Sequence, residues 1–233
     1  MARSGSPVQG GAVAPGQIAV VFLDVGGPIY EDGPYYRALL RAIEEANPDA
    51  DEQSFWEEFE ACRRDQNGSF TRRLVGRFAP NSDYHTVVDR GRELWEYPPE
   101  TLQPDARPTI ERLAGRYRLG VLANQERWIR ETLARDNLAD YFEIWGISAE
   151  VGMEKPDPGI FEWAISEAAI PAERCVMVGD RLDNDIVPGR RQGMLGVWLL
   201  RGEAPDEPSE EQLAHADAAI RSLDELPETL ERL

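Results

Sequence analysis

Hydrophobic residues along the chain form two alternating patterns that predict an α/β protein. Short apolar runs bounded by Gly, Pro or polar residues are typical of buried parallel strands. Between most of them, apolar residues recur every three or four positions, as on one face of a helix. This alternation predicts a Rossmann-like parallel sheet with helices on both faces. The predicted strands are 18–23, 117–122, 144–148, 175–178, 196–200 and 218–220, and the helices are 109–113, 127–135, 158–169 and 186–192.

One long segment after the first strand interrupts this alternation. From about Pro34 to Tyr97 the apolar residues show helical spacing, and no run is typical of a strand. Breaks rich in Pro, Asn and Gly separate the helical runs. We therefore predict an all-helical cap domain at 34–97, inserted between the two parts of an α/β core at 18–33 and 98–233. The runs are 35–43, 55–59 (capped at or near Ser54), 70–78 and 84–95.

Composition and charge narrow the classes of partner. The net charge of −18 argues against nucleic acid or an anionic membrane as a partner, since both attract basic surfaces. Residues 1–17 are rich in Gly, Ala, Ser and Pro and lack an apolar signal-peptide core, which predicts a flexible N-terminal tail. The two cysteines, Cys62 and Cys175, do not make a disulfide framework. A reducing, cytoplasmic location fits these features.

Polar side chains follow three of the predicted strands. Asp24 comes directly after the first strand, and Asn124 lies just beyond the strand at 117–122. Asp180 and Asp185 follow the strand at 175–178. Ligands of open α/β sheets bind beyond the carboxyl ends of the strands, so we expect these side chains to converge on one pocket.

Lys155 is the single lysine among 25 basic residues. It stands in the string Gly-Met-Glu-Lys-Pro-Asp-Pro at 152–158. A lysine supplies a compact point charge on a flexible stem, which the planar guanidinium of arginine does not. Together with the acids at the strand ends, this lysine is a candidate member of the same pocket.

These spaced motifs resemble those of the haloacid dehalogenase-like hydrolases, in the branch with a helical cap after the first strand. The resemblance covers residues 18 to about 230. Four segments match in order: Asp24-Val25-Gly26, Ala123-Asn124, Lys155-Pro156, and Gly179-Asp180 through Asp185.

The resemblance implies a Mg²⁺-dependent phosphatase that acts on a small phosphorylated metabolite. It implies that Asp24 is a nucleophile that forms an aspartyl-phosphate, and that Lys155 binds the phosphate and keeps Asp24 ionised. It also implies that Asn124 contacts the substrate, and stabilisation of the turn after the strand is the alternative role for this residue. The implied Mg²⁺ ligands are Asp24, the Gly26 carbonyl and Asp180, with Asp185 completing the acidic pocket.

Two positions depart from the family pattern. Gly26 replaces the aspartate that serves the family as general acid and base, and a missing proton-transfer group typically costs about 10²–10⁴-fold in rate. Ala123 replaces a Ser or Thr whose hydroxyl binds the transferring phosphoryl group. The favoured hypothesis is a phosphatase whose acid comes from elsewhere, because the metal-binding acids are intact. The alternatives are a weakly active or inactive binding protein, and a dehalogenase-type hydrolase in which Asp24 attacks carbon.

The substrate-binding side chains of the helical segment are not fixed by motifs. Arg37, Arg41, Arg63 and Arg64 are candidates to meet an anionic substrate, and a solvated helix face is the simpler role for each. Trp128 is a candidate pocket residue for which core packing is favoured. His85 and His215 lie outside all four motifs, so neither is assigned a catalytic role.

Overall fold

The computed structural model describes residues 18–233, so the predicted tail at 1–17 lies outside the described residues. All six strands pair in parallel, in the order β3-β2-β1-β4-β5-β6. The predicted Rossmann-like sheet is confirmed, with strand ends shifted by no more than two residues. The strands are β1 Val20–Leu23, β2 Arg118–Ala123, β3 Phe142–Ile147, β4 Cys175–Gly179, β5 Leu195–Leu199 and β6 Ala218–Ile220.

The first strand is buried on both faces. β1 pairs with β2 on one side and with β4 on the other, and all of its residues are fully buried. A strand in this position needs apolar residues without alternation, which explains its continuous hydrophobic run. Leu23 is opposite Val178 of β4, so the acids that follow these two strands leave the sheet side by side.

Helices cover both faces of the sheet. Val21 and Leu23 pack into one apolar cluster with residues of the helices at 106–114, 129–135 and 226–230. Val20 and Phe22, which point to the opposite face, pack with residues of the helix at 158–168. The helices outside the insertion are α5 Ala106–Ala114, α6 Ile129–Arg135, α7 Ser148–Val151, α8 Pro158–Ala168, α9 Val187–Arg191, α10 Glu210–Leu213 and α11 Leu226–Leu230.

The segment between β1 and β2 is all-helical, as predicted, and has its own apolar cluster. The side chains of Asp51, Ser69 and Asp83 accept hydrogen bonds from the first turns of α2, α3 and α4. Asp51 rather than Ser54 therefore caps α2. The domain limits at 34–97 stay a prediction. The helices of this insertion are α1 Gly33–Ala46, α2 Glu52–Asp65, α3 Phe70–Phe78 and α4 Tyr84–Leu94.

Polar contacts join the helical insertion to the C-terminal edge of the sheet. The buried Gln66 side chain donates to the carbonyl of Glu203 at 2.7 Å and accepts from the amide of Leu182 at 2.9 Å. The guanidinium of Arg181 lies 3.9 Å from the centre of the Phe70 ring. These contacts place the insertion over the strand ends. Among residues 18–233 no helix is long and apolar enough to cross a bilayer.

Candidate active site

A cavity of about 510 Å³ lies between the C-terminal edge of the sheet and the helical insertion. Its floor is made by residues that follow β1, β2 and β4, and its opposite wall is made by α1, α3 and α4. The predicted site residues Asp24, Gly26, Asn124, Lys155 and Asp180 all line this cavity.

Lys155 is buried between two carboxylates beneath the cavity floor. Its Nζ lies 3.0 Å from Asp24 Oδ2 and 2.6 Å from Asp185 Oδ1. The side chains of Lys155 and Asp185 are fully buried, whereas Asp24 keeps 14% of its side-chain surface exposed, toward the cavity. The lysine therefore offsets two buried negative charges and fixes the position of the one that meets the cavity.

Asp24, Asp180 and Asp185 form a group that could hold a cation. One carboxylate oxygen from each lies within 4.8 Å of the other two. Asp180 also accepts a hydrogen bond from the backbone amide of Glu203 at 2.6 Å. Clustered carboxylate oxygens are the donors that Mg²⁺ prefers, so these residues fit that ion.

The electrostatics of the floor show an excess of buried negative charge. Burial raises the pKa of Asp24 from 3.8 to about 7, although the charge of Lys155 acts in the opposite direction. Burial, together with the nearby Asp32 carboxylate, raises the pKa of Asp180 well above its usual value. The pKa of Lys155 is raised, because the attraction of Asp185 and Asp24 outweighs the opposing effect of burial. A bound cation would favour the ionised form of these acids.

Asn124 is engaged with the backbone of Lys155. Its Nδ2 donates to the Lys155 carbonyl at 2.8 Å, and its Oδ1 accepts from the Lys155 amide at 2.7 Å. The nitrogen and the oxygen of the Asn124 side chain thus hold the backbone at Lys155 against the end of β2. Contact between Asn124 and a substrate stays a prediction.

Three cavity residues carry polar atoms without a hydrogen-bond partner. Among residues 18–233, the buried side-chain atoms without one are Asp32 Oδ2, Trp95 Nε1 and Gln125 Oε1. All three residues line the cavity. Unpaired buried polar atoms are costly, and their concentration in one cavity is typical of a binding site. The sequence motifs identified none of the three, because each lies outside them.

Asp32 occupies the space beside Gly26. A Cβ atom built on Gly26 would lie 2.3 Å from Asp32 Oδ1 and 3.6 Å from the Tyr97 hydroxyl. The Asp32 carboxylate, from six residues further along the chain, therefore fills the place where a side chain at position 26 would begin. Ala123 is fully buried at the end of β2, so it presents only a methyl group.

Other residues considered from the sequence have different surroundings. The cavity wall contains none of Arg37, Arg41, Arg63 and Arg64. Arg63 instead binds Asp206 and the carbonyl of Ala204 in the core. Trp128 packs against the rings of Trp95 and Tyr97, and the wall contains His85 and Arg72.

The fold and site together define a class of proteins: a Rossmann-like sheet whose strand ends carry a lysine-linked acidic site beneath a helical insertion. Residues 18–193 match the family of haloacid dehalogenase-like hydrolases, and the chain belongs to this family. The resemblance inferred from the motifs is confirmed.

Named relatives include phosphatases. The chain is 37% identical over 133 residues to a glyceraldehyde 3-phosphate phosphatase of Pyrococcus furiosus, an alignment that covers 55% of this chain and 54% of the relative. It is 39% identical over 79 residues to a phosphoserine phosphatase of Thermus thermophilus, covering 34% and 32% of the two chains. This chain thus spans about half or less of these relatives. The crystal structure of a phosphatase of the same family from Thermococcus onnurineus superimposes with a TM-score of 0.58 at 27% identity, covering 92% of this chain and 98% of the other.

Proposed function

We propose that this protein is a Mg²⁺-dependent phosphatase that acts on a small phosphorylated metabolite. The observation that carries the proposal is the placement of Lys155 between Asp24 and Asp185, with Asp180 in the same acidic group and Asp24 open to the cavity. A carboxylate that faces the cavity and is held by a buried ammonium is suited to act as a nucleophile. The named phosphatases among its relatives support the same activity.

Each residue of the floor has a part in this proposal. Asp24 attacks the phosphorus atom and forms an aspartyl-phosphate while the alcohol leaves, and water then cleaves the acyl-phosphate bond. Lys155 favours the ionised form of Asp24 against the effect of burial and offsets part of the phosphate charge. Asp24, Asp180, Asp185 and the Gly26 carbonyl would hold Mg²⁺. When bound, that ion supplies positive charge against the repulsion between carboxylate and phosphate.

Asp32 is our candidate for the proton-transfer group that Gly26 lacks. The departing alkoxide needs a proton, and the attacking water must lose one. Asp32 lines the cavity, has an oxygen without a partner, and lies where a side chain at position 26 would extend. This placement supports a phosphatase in spite of the glycine in the first motif.

The test measures phosphate release from a panel of small phosphate esters, with Mg²⁺ and with EDTA. Release that requires Mg²⁺ and falls at least about 10³-fold in Asp24→Asn is expected, since the nucleophile is lost. Asp24→Asn keeps the size of the side chain, and circular dichroism with thermal melting checks that the variant is folded. Absence of release from every ester would favour the alternative of a binding protein, for which the buried methyl of Ala123 is the supporting feature.

A further inference from the structure

The wall of the cavity formed by the helical insertion differs in charge from its floor. The floor carries the acids, whereas α3 and the end of α4 contribute Arg72, Arg92 and the indole N–H of Trp95. In a chain with a net charge of −18, a wall with two guanidinium groups and a free N–H donor is a local exception. We define these three residues as the donor wall.

Arg72 is the cation of the cavity without an acidic partner. Its guanidinium lies 4.4 Å from the centre of the Tyr84 ring, which holds it at the wall. Within residues 18–233 it forms no ion pair, whereas Lys155 and Arg181, which also line the cavity, are each paired with two carboxylates. Arg92 is between these cases, with nitrogen–oxygen distances of 3.6 Å to Asp89 and 3.5 Å to Glu126.

The position of Arg72 in its helix also favours an external anion. It is the third residue of α3, and the first turn of this helix contains no acidic residue. A cation there is unfavourable, because the N-terminal end of the helix dipole is itself positive. Violations of local preference are expected at functional or strained sites, and a bound anion would reverse this cost.

Trp95 supplies an independent sign of a missing partner. Its Nε1 is buried and has no acceptor, although buried tryptophan N–H groups usually find one. Trp95 contacts Tyr35 at a ring distance of 4.9 Å, and the Tyr35 hydroxyl lies 2.9 Å from Thr71, the neighbour of Arg72. The donors therefore belong to one continuous wall that faces the site of reaction across the cavity.

We infer that the donor wall binds a second anionic group of the substrate, so that the preferred substrates are phosphate esters whose leaving group carries a carboxylate or a further phosphate. This inference deepens the proposed phosphatase function and rests on it for turnover. Guanidinium groups suit both anions, because each accepts two parallel hydrogen bonds.

Matched pairs of esters test the inference. Phosphoglycolate is compared with 2-hydroxyethyl phosphate, and 1,3-propanediol bisphosphate with 3-hydroxypropyl phosphate, so that each pair differs in the distal anion. We expect kcat/KM to be at least about tenfold higher for the anionic member of one pair, the scale of one charge-assisted hydrogen bond. A preference within the first pair shows that the donor wall binds a carboxylate, and a preference within the second pair shows that it binds a phosphate.

Two variants locate the effect. Arg72→Gln should lower kcat/KM about tenfold for the preferred anionic ester and by less than about twofold for its neutral partner. Trp95→Phe, which removes the N–H and keeps an aromatic ring, should act in the same direction. Arg191→Gln is the control, because Arg191 is exposed and lies outside the cavity. This substitution removes the same charge and should change kcat/KM for neither ester.

A binding measurement separates this inference from the proposed function. Calorimetry with the Asp24→Asn protein in Mg²⁺ compares the affinity of the same ester pairs without turnover. In one outcome the wild type releases no phosphate, the anionic ester still binds more tightly than its neutral partner, and Arg72→Gln removes this difference. The proposed phosphatase function is then wrong, and the inferred anion-binding role of the donor wall is supported. The inferred role of the donor wall is wrong if kcat/KM is equal for the two members of each pair. It is also wrong if Arg72→Gln lowers kcat/KM equally for the anionic and the neutral ester. Equal or undetectable binding of both members, without turnover, overturns both.

Discussion

At the scale of single residues, the site depends on balancing buried charge. Lys155 and Asp185 have no exposed side-chain surface, and Asp24 has little. Removing one member of a buried ion pair is costly, because the remaining charge has neither water nor a partner. The single lysine of the chain therefore has a structural role in addition to the proposed catalytic one.

Substitution of Lys155 tests this role. Lys155→Met should lower the free energy of unfolding by about 3–5 kcal/mol, because two carboxylates lose their cation while the apolar volume is kept. Urea denaturation without Mg²⁺ measures the change. The matched control is Arg191→Met, an exposed cation that should change stability by less than about 0.5 kcal/mol. A similar small change in both variants would contradict the argument.

Asp32 carries the second prediction at this scale. If its carboxyl protonates the leaving group, Asp32→Asn should slow hydrolysis of alkyl phosphates by about 10²–10⁴-fold. The loss should be much smaller for p-nitrophenyl phosphate, because its leaving group departs without a proton. The ratio of the two rates distinguishes proton transfer from a general loss of folding, which would lower both rates equally. An equal loss of rate for the two substrates would show that Asp32 does not protonate the leaving group.

At the scale of elements, close packing between strands fixes the floor of the site. Gly120 of β2 lies between Phe22 of β1 and Ile144 of β3. A Cβ atom at Gly120 would be 2.5 Å from the Phe22 ring and 3.3 Å from Ile144 Cβ. The strand therefore requires glycine for space, because its neighbours are fully packed.

A pair of glycine substitutions tests this packing. Gly120→Ala should lower the free energy of unfolding by about 1–3 kcal/mol through overpacking. Gly76→Ala adds the same methyl group inside α3, where no atom beyond the chain neighbours and the backbone of the helix lies within 4 Å, and should raise stability by about 0.5–1 kcal/mol. Chemical denaturation of both proteins compares them. The prediction fails if Gly120→Ala is as stable as wild type.

At the scale of the whole molecule, a few polar residues hold the insertion against the core. Gln66 is the main example, since its buried side-chain amide satisfies two backbone groups of the core, the Glu203 carbonyl and the Leu182 amide. Gln66→Met keeps the length of the side chain but leaves the Leu182 amide and the Glu203 carbonyl without this partner. We expect a loss of about 1–3 kcal/mol and faster hydrogen exchange at Leu182. Gln53→Met, at an exposed position of α2, is the control and should change neither quantity.

Through its acids, this site would link the binding of a metal ion to pH. The pKa of Asp24 is about 7 in the folded protein without metal and 3.8 ordinarily. Between these two pH values the Asp24 carboxyl of the unfolded chain has lost a proton that the folded protein still holds. The contribution of this group to folding stability is therefore present below about pH 4 and is lost as the pH rises to about 7. Each pKa unit is worth about 1.4 kcal/mol.

Mg²⁺ should act in the opposite direction, because it binds the ionised carboxylates. We expect the increase in Tm caused by Mg²⁺ to be larger near pH 7.5 than near pH 5.5, as measured by differential scanning calorimetry. Asp180→Asn with Asp185→Asn should show little increase at either pH. An equal increase at both pH values in the wild type would argue against a metal site made by these acids.

The sequence by itself determined the order of elements and the residues of the floor. Apolar runs mark buried strands because burial on both faces excludes polar side chains, and parallel pairing brings the residues that follow those strands to one edge. Asp24, Asn124 and Asp180 could be assigned to one pocket from this rule alone, and the helical insertion from its periodicity. The ends of the helices were less certain, because Asp51 and Ser54 are both possible caps and only the backbone geometry distinguishes them.

Only the tertiary structure decided which residues of the helical insertion form the cavity wall opposite the floor. Which helix face meets the cavity depends on how the insertion packs on the core, and periodicity does not encode that contact. Arg63 therefore binds the core, whereas Arg72, nine positions later, enters the cavity wall. The place of Asp32 beside Gly26 likewise depends on the turn between them. Local sequence fixes which residues follow a strand, but contacts between separate elements form only when the whole chain packs.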